Sequence, residues 1–241
     1  MLSQKKYTSL VQTVNNFRNQ IHLFNIEQIS EQALDDLKRQ ITLFEIENPD
    51  KIDKNSPNYI IAGGIMDGFK KYTHKNRMLS LNDIFTMSEL LDWQKRWQEY
   101  AKKSGLICEN EIAYICEPKI DGLAISLHYQ NGELTRAVTR GDGFVGEDVT
   151  ENIRQILSIP KCISYKDNVE VRGEIFMTKS NFDYLNLEII RGNKKGKMGK
   201  TGPDGIFANQ RNVASGTIRQ LDSRVVTGRN LSFLAYNVYT Q

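Results

Sequence analysis

Cysteine is scarce in this sequence, with three among 241 residues. Cys108, Cys116 and Cys162 are far apart and include no C-x-x-C pair. That spacing argues against a disulfide framework or a zinc module and points to a reducing compartment. Histidine is as rare, and His22, His74 and His128 are scattered. They read as structural or binding residues, and none is assigned a proton-transfer role. Long apolar runs are missing as well. No stretch approaches the roughly 18 residues of a membrane span, and the opening Met1-Leu-Ser-Gln-Lys-Lys6 lacks the apolar core of a signal peptide. A cytoplasmic location with no membrane partner is the expectation. Net charge is small too, at +3, so the total alone gives no argument for a nucleic-acid partner.

The distribution of charge says more. Residues 188–229 hold nine Lys/Arg against three Asp/Glu, a local excess of six, while the remainder is near neutral or slightly acidic. Such an excess suits a phosphate-rich partner, although a solvated loop would look the same. Composition is otherwise that of a soluble globular protein, 39 % hydrophobic and 25 % charged. The length allows one or two domains with a real core.

Hydrophobic spacing predicts two helices within residues 1–48. Leu10, Val14, Phe17 and Ile21 mark the first, and Leu34, Leu37, Ile41 and Phe44 the second, which Asn48-Pro49 ends. Residues 50–73 read as a linker. Thr86 and Glu89 form a capping-box pattern opening a helix over 86–103, with Trp93 and Trp97 assigned to the core. Strands are predicted at 112–117, 123–129, 133–139, 169–177 and 231–238, the second and third joined as a hairpin through Asn131-Gly132. In 169–177, Val169, Val171 and Ile175 fall on one face and Arg172 and Glu174 on the other. Helices are predicted at 180–190 and 208–221. The intervening Gly/Lys-rich stretch, 192–205, reads as mobile and too polar to pack.

The stretch Glu117-Pro-Lys-Ile-Asp-Gly122 sits between two apolar runs, 112–116 and 123–129. A lysine amine is a poor nucleophile in water, since a pKa of about 10.4 leaves little of it neutral at pH 7. Burial or nearby cations can make such a lysine covalently reactive. Taken alone, Lys-x-Asp-Gly is most often a solvated turn. Its neighbours change the reading. Lys119-Ile-Asp-Gly122 resembles motif I of the covalent nucleotidyltransferases. The accompanying blocks are Arg140-Gly-Asp-Gly143, Gly146-Glu-Asp148, Val171-Arg-Gly-Glu174, Phe207-Ala-Asn-Gln-Arg-Asn212 and Arg219-Gln-Leu-Asp222. Together with His74 and Met78-Leu-Ser-Leu81 upstream, they resemble the NAD-dependent DNA ligases in order and spacing. The resemblance is strong over residues 70–241 and weak over the first 60.

That resemblance implies an α+β protein. A small N-terminal helical pair over 1–68, holding the nicotinamide mononucleotide half of NAD, would be followed over 69–241 by an incomplete nucleotidyltransferase (ATP-grasp-like) antiparallel-sheet adenylation domain. It implies that Lys119 attacks the α-phosphate of NAD to form lysyl-AMP, with Asp121 orienting the amine and Mg2+ as a further cofactor. Glu117, Ser80 and Leu81 would line the adenine site, Glu174 would hold the ribose, and Arg140 would sit against the nucleotide. His22, Glu31 and Asp35 would lie in the nicotinamide pocket, where Ile21 and Leu34 stand at positions the family fills with tyrosines. Losing those aromatic faces would weaken stacking. Arg211 and Arg219, eight residues apart, would address the phosphates of nicked double-stranded DNA, and guanidinium geometry suits that task.

The family's later blocks are not in these 241 residues: a further lysine strand, an oligonucleotide-binding barrel, a four-cysteine zinc module and helix-hairpin-helix repeats. Lost electrostatic stabilisation of that kind is worth several kcal/mol of barrier. The expectation is therefore a ligase part or split subunit that works with a second polypeptide. The rival readings are a catalytically inactive nucleic-acid-binding module and a truncated ligase fragment.

Overall fold

The computed structural model describes residues 2–24, 28–60, 68–81, 83–106, 113–199 and 202–240, without the side chains of 22–24, 31 and 198. Two helices form where the apolar spacing asks for them: α1 (Gln4–Phe24) and α2 (Glu31–Glu47). Ser30 caps α2, accepting from the Ala33 amide at 3.2 Å. The pair buries Tyr7, Val11 and Val14 against Leu34, Ile41 and Phe44. The buried stripe of α1 is rotated from the expected one, because Leu10, Phe17 and Ile21 are only partly covered. Tyr7 explains the rotation. Its ring stacks on Phe44 at 4.3 Å, and its hydroxyl donates to Glu45 Oε1 at 2.7 Å and accepts from the Asp53 amide at 2.9 Å.

By contact the chain forms two compact units, one of Met1–Met78 with Ile120–Gln241 and one of Leu79–Lys119. The first contains β1 (Lys71–Thr73). The second is built on α3 (Met87–Lys103), where Thr86 accepts from the Glu89 amide and Glu89 reaches back to the Phe85 amide at 2.7 Å. Trp93, Trp97 and Tyr114 cluster with ring centroids 6.1–6.2 Å apart. Trp93 is 41 % exposed, so this is a half-open aromatic group rather than the core that was expected. The strand expected at 112–117 does not form at the described residues 113–117, all of them exposed. A strand needs a bonded neighbour, and no described segment pairs with this one.

The first unit continues with β2 (Leu123–Gln130), β3 (Glu133–Thr139), β4 (Val145–Glu147), α4 (Thr150–Ile153) and β5 (Val169–Phe176). Then come α5 (Lys179–Ile190), α6 (Gln210–Ile218), α7 (Arg224–Thr227) and β6 (Ser232–Thr240). Four strands make an antiparallel sheet in the order β3-β2-β5-β6, and β1 pairs with β4. The fold is thus mixed α and β with antiparallel sheets, as expected. Asn131 and Gly132 both take positive φ, 51° and 81°, which closes the hairpin as read from the sequence.

Alternation along β2 and β5 separates two faces. Ile125, Leu127, Tyr129, Val169 and Ile175 join the main core with Ile153, Leu185, Ile189, Val213 and Ile218. Ser126, His128, Glu170, Arg172 and Glu174 take the other parity. The 192–205 stretch, expected to be mobile, forms two 3₁₀ turns at Lys197–Gly199 and Pro203–Gly205. No described helix is long and apolar enough to cross a membrane.

Candidate nucleotide-binding site

The site is built at the end of the sheet where β2 starts and β5 finishes. A Cβ at Gly122 would lie 2.0 Å from the Ile175 carbonyl oxygen, so only glycine lets β5 cross there. Ala124 pairs with Glu174 in the β2–β5 register, which sends the Glu174 carboxylate to the polar face. Arg140 follows β3 directly and donates its amide to the Ala124 carbonyl at 3.2 Å. The next four residues turn tightly. Gly141 takes φ 57°, and Asp142 Oδ1 accepts from the Phe144 and Val145 amides at 2.9 and 2.7 Å.

That turn leaves the Arg140 guanidinium enclosed. Burial lowers its pKa, the nearby Arg211 and Arg219 add to the effect, and Glu174 and Tyr236 oppose it. Five side chains from five places in the sequence therefore share one electrostatic neighbourhood: Arg140, Glu174, Arg211, Arg219 and Tyr236. Arg211 pairs with Asp121 at 2.8 Å. Arg219 pairs through Nε with Glu147 at 3.2 Å; its side chain is 8 % exposed and that of Glu147 is fully buried. Glu147 also accepts from the Thr139 hydroxyl at 3.1 Å. Tyr236 keeps 55 % of its surface open, while the protein around its hydroxyl, with Glu174, pushes the phenol up to about 12.

Behind this cluster the polar face is held by a bonded network centred on Arg172 and Glu170, with His74 Nδ1 beside it buried and without a hydrogen-bond partner. Arg172 Nε donates to Glu170 Oε1 at 2.6 Å, and its two terminal nitrogens donate to the Asn76 and Arg77 carbonyls at 2.6 and 3.0 Å. Its guanidinium also lies 4.4 Å over the Tyr239 ring. Glu170 accepts from the Ser126 hydroxyl, 3.1 Å from His128 Nε2. Burial alone would raise the Glu170 carboxyl, but the bonds from Arg172 and Ser126 outweigh it and hold the group low. Burial lowers the pKa of both His74 and His128. The His74 ring meets the Thr139 carbonyl at 3.1 Å.

The remaining sequence candidates distribute as follows. Ser80, Leu81, Glu117 and Lys119 lie in the Leu79–Lys119 unit, all exposed and outside any helix or strand. Asp35 of α2 pairs with Lys38 at 3.2 Å. Leu34 is part of the buried cluster of the helix pair, and Ile21 packs against it. The side chains of His22 and Glu31 lie outside the described residues. Sequence reading overlooked Tyr236, Glu147 and the Glu170–Ser126 network. One signal was available for the network. Glu170, Arg172 and Glu174 at alternate positions of a strand bonded on both sides cannot all reach water.

Among the described residues no three His, Cys, Asp or Glu side chains gather as a metal cluster.

Comparison with known proteins matches this sequence to a family. The sequence model of the NAD-dependent DNA ligase adenylation domain matches residues 66–241. The chain belongs to that family. It is 38 % identical over 240 residues to a DNA ligase of Campylobacter concisus (strain 13826), covering all of this chain and 34 % of that protein. It is 37 % identical over 237 residues to DNA ligases of Bacillus cereus (strain G9842) and Bacillus thuringiensis (strain Al Hakam), covering 98 % of this chain and 33 % of theirs. The chain thus spans about a third of the length of the curated relatives it matches.

Proposed function

We propose that this chain is the adenylate-accepting part of an NAD-dependent DNA ligase, with Lys119 as the nucleophile and NAD as the substrate consumed. The observation that supports it best is the gathering of Arg140, Arg211 and Arg219 beside Glu174 and Tyr236. Asp121 and Glu147 already pair with two of these guanidinium groups, and three of them held together still favour the approach of a further anion. A phosphate would satisfy them, and a carboxylate suits a ribose diol. An open tyrosine face suits a base. Phosphate, sugar and base together outline a nucleotide.

The neutral amine of Lys119 would attack the α-phosphorus. The N–P bond forms as the P–O bond to nicotinamide mononucleotide breaks, and the amine gives up its proton. AMP then passes to the 5′-phosphate of a nick, and the 3′-hydroxyl displaces it. Ser80, Leu81 and Glu117 would serve the adenine, and Asp121 would orient the amine when released from Arg211. Arg211, with 28 % of its side chain exposed, is the better placed of the two arginines to touch DNA phosphate, while Arg219 would act through its field from beside Glu147. No step is assigned to Mg2+. The helical pair, residues 1–68, would serve the nicotinamide half, with Ile21 and Leu34 engaged in helix packing rather than ring stacking.

The outer edge of β6 supports a need for further chain. Among the described residues β6 pairs only with β5, and Leu234, Tyr236 and Val238 are exposed. An open edge of this kind accepts an added strand. That strand would come from another part of a longer ligase or from a second polypeptide.

The test is incubation of the purified chain with NAD and Mg2+, followed by peptide mass spectrometry, repeated with a candidate partner polypeptide. Lys119 heavier by one adenylyl group (AMP less water), with nicotinamide mononucleotide released, is the expected result. An unmodified Lys119 with every candidate partner, alongside salt-sensitive DNA binding that ignores NAD, would leave a binding module instead.

A further inference from the structure

In the lysine-rich segment after α5, the described residues 191–199 and 202–205 are tied by backbone bonds. The Asn193 and Lys194 amides donate to the Glu188 carbonyl at 2.9 and 3.2 Å, and the Gly202 amide donates to the Ile189 carbonyl at 2.7 Å. A Cβ at Gly196 would lie 1.9 Å from the Gly205 carbonyl oxygen, so the two turns meet closely. Arg229 fastens the segment from 34 residues downstream, donating to the Lys195 carbonyl at 2.8 Å. Lys194 returns the tie, donating Nζ to the Gly228 carbonyl at 3.1 Å and lying 5.5 Å over the Tyr184 ring.

Among the described residues the charges gathered this way are only partly offset, since the field of Glu188 reaches Lys194. Glu188 is the acid on the adjoining turn of α5, and Arg191 and Asn193 already occupy it. Arg229 lies 5.1 Å over the Phe207 ring, its Nη1 is buried with no hydrogen-bond partner, and no described carboxylate pairs with it. Lys195 and Lys197 are exposed and form no ion pair among the described residues. Cations held on a fixed backbone lose little backbone entropy when a partner arrives. A polyanion gains most from them.

We propose that Lys194, Lys195 and Lys197, braced from behind by Arg229, form a collar that contacts the sugar-phosphate backbone of duplex DNA, in addition to Arg211. The choice of DNA over an acidic protein rests on the ligase reading above. The supporting chemistry is the row of flexible ammonium groups, which meets regularly spaced phosphates without needing a shaped pocket.

The experiment measures binding of the chain to a nicked duplex carrying a 5′-phosphate, by fluorescence anisotropy across a salt series. The comparison is with the K195Q/K197Q variant, whose two side chains make no hydrogen bond or ion pair among the described residues. Each phosphate contact contributes about 0.9 to the slope of log affinity against log salt. The variant is expected to lower that slope by about 2, weaken binding several-fold at fixed salt and leave the thermal midpoint in place. An unchanged slope overturns the collar and leaves its charge to an acidic protein partner. A wild-type chain that binds no duplex at any salt also overturns it. The two readings separate cleanly, because AMP on Lys119 with an unchanged slope removes the collar and spares the ligase assignment.

Discussion

Arg219 and Glu147 are the pair on which the site's frame depends most directly. The guanidinium is 8 % exposed and the carboxylate fully buried, so neither has water to fall back on. Removing one member of such a pair strands the other, typically costing 3–5 kcal/mol. Glu147→Gln should therefore lower unfolding free energy by about 3 kcal/mol in a denaturant melt, and a change below about 1 kcal/mol would show that the pair is solvated. The buried imidazoles make a second prediction at this scale. Folding lowers the pKa of His74 and His128 below the ordinary value of about 6.5, so the unfolded chain binds more protons as pH falls through that value. Their contribution is complete above about pH 7 and is lost as pH falls toward their folded pKa values. The thermal midpoint should hold from pH 8 to 7 and drop toward pH 5.5, and His128→Gln should flatten the drop. Glu174 and Arg140 were legible in the sequence because each stands in a recognisable block. Tyr236 was not, since a tyrosine in an alternating strand carries no sign of what lies beneath it.

Local signals explain which elements could be read. The Asn131-Gly132 turn fixes the β2–β3 hairpin by its own backbone preferences, and alternation fixes the faces of β5. Both needed only neighbours in sequence. The two turns of the lysine segment leave no local signal, because one of their ties comes from Arg229, 34 residues away. Among the described residues, 113–117 of the strand expected at 112–117 have the apolar run without a neighbour to pair with. The three-residue strands β1 and β4 are too short for any periodicity to show. The tightest element contact gives a prediction of its own. With 2.0 Å between a Cβ at residue 122 and the Ile175 carbonyl oxygen, Gly122→Ala must push β5 away from the start of β2. Backbone displacement and overpacking cost about 1–3 kcal/mol. The variant should melt earlier by that amount and accept less AMP, whereas an unchanged melt would mean that the strand ends part freely.

On the scale of the whole chain, the helix pair and the sheet carry separate apolar clusters that share no residue. Ile41 and Val213 are each fully buried, one in each cluster. Ile41→Ala should cost about 2–5 kcal/mol, and the loss from Val213→Ala should add to it within about 0.5 kcal/mol. A larger coupling in the double variant would reveal that the clusters communicate.

The central place of β5 in the sheet also sets an order of events during synthesis. The β2–β3 hairpin needs only nearby chain and can close within microseconds. Its other neighbour arrives much later, and Arg172 must then reach carbonyls 95 and 96 residues upstream. Pairings that close such long loops are slow to form. As the ribosome delivers the N-terminal side first, the closed hairpin waits with the β5 side of β2 bare. That waiting period is when a growing chain of this protein is most open to aggregation or to chaperone capture.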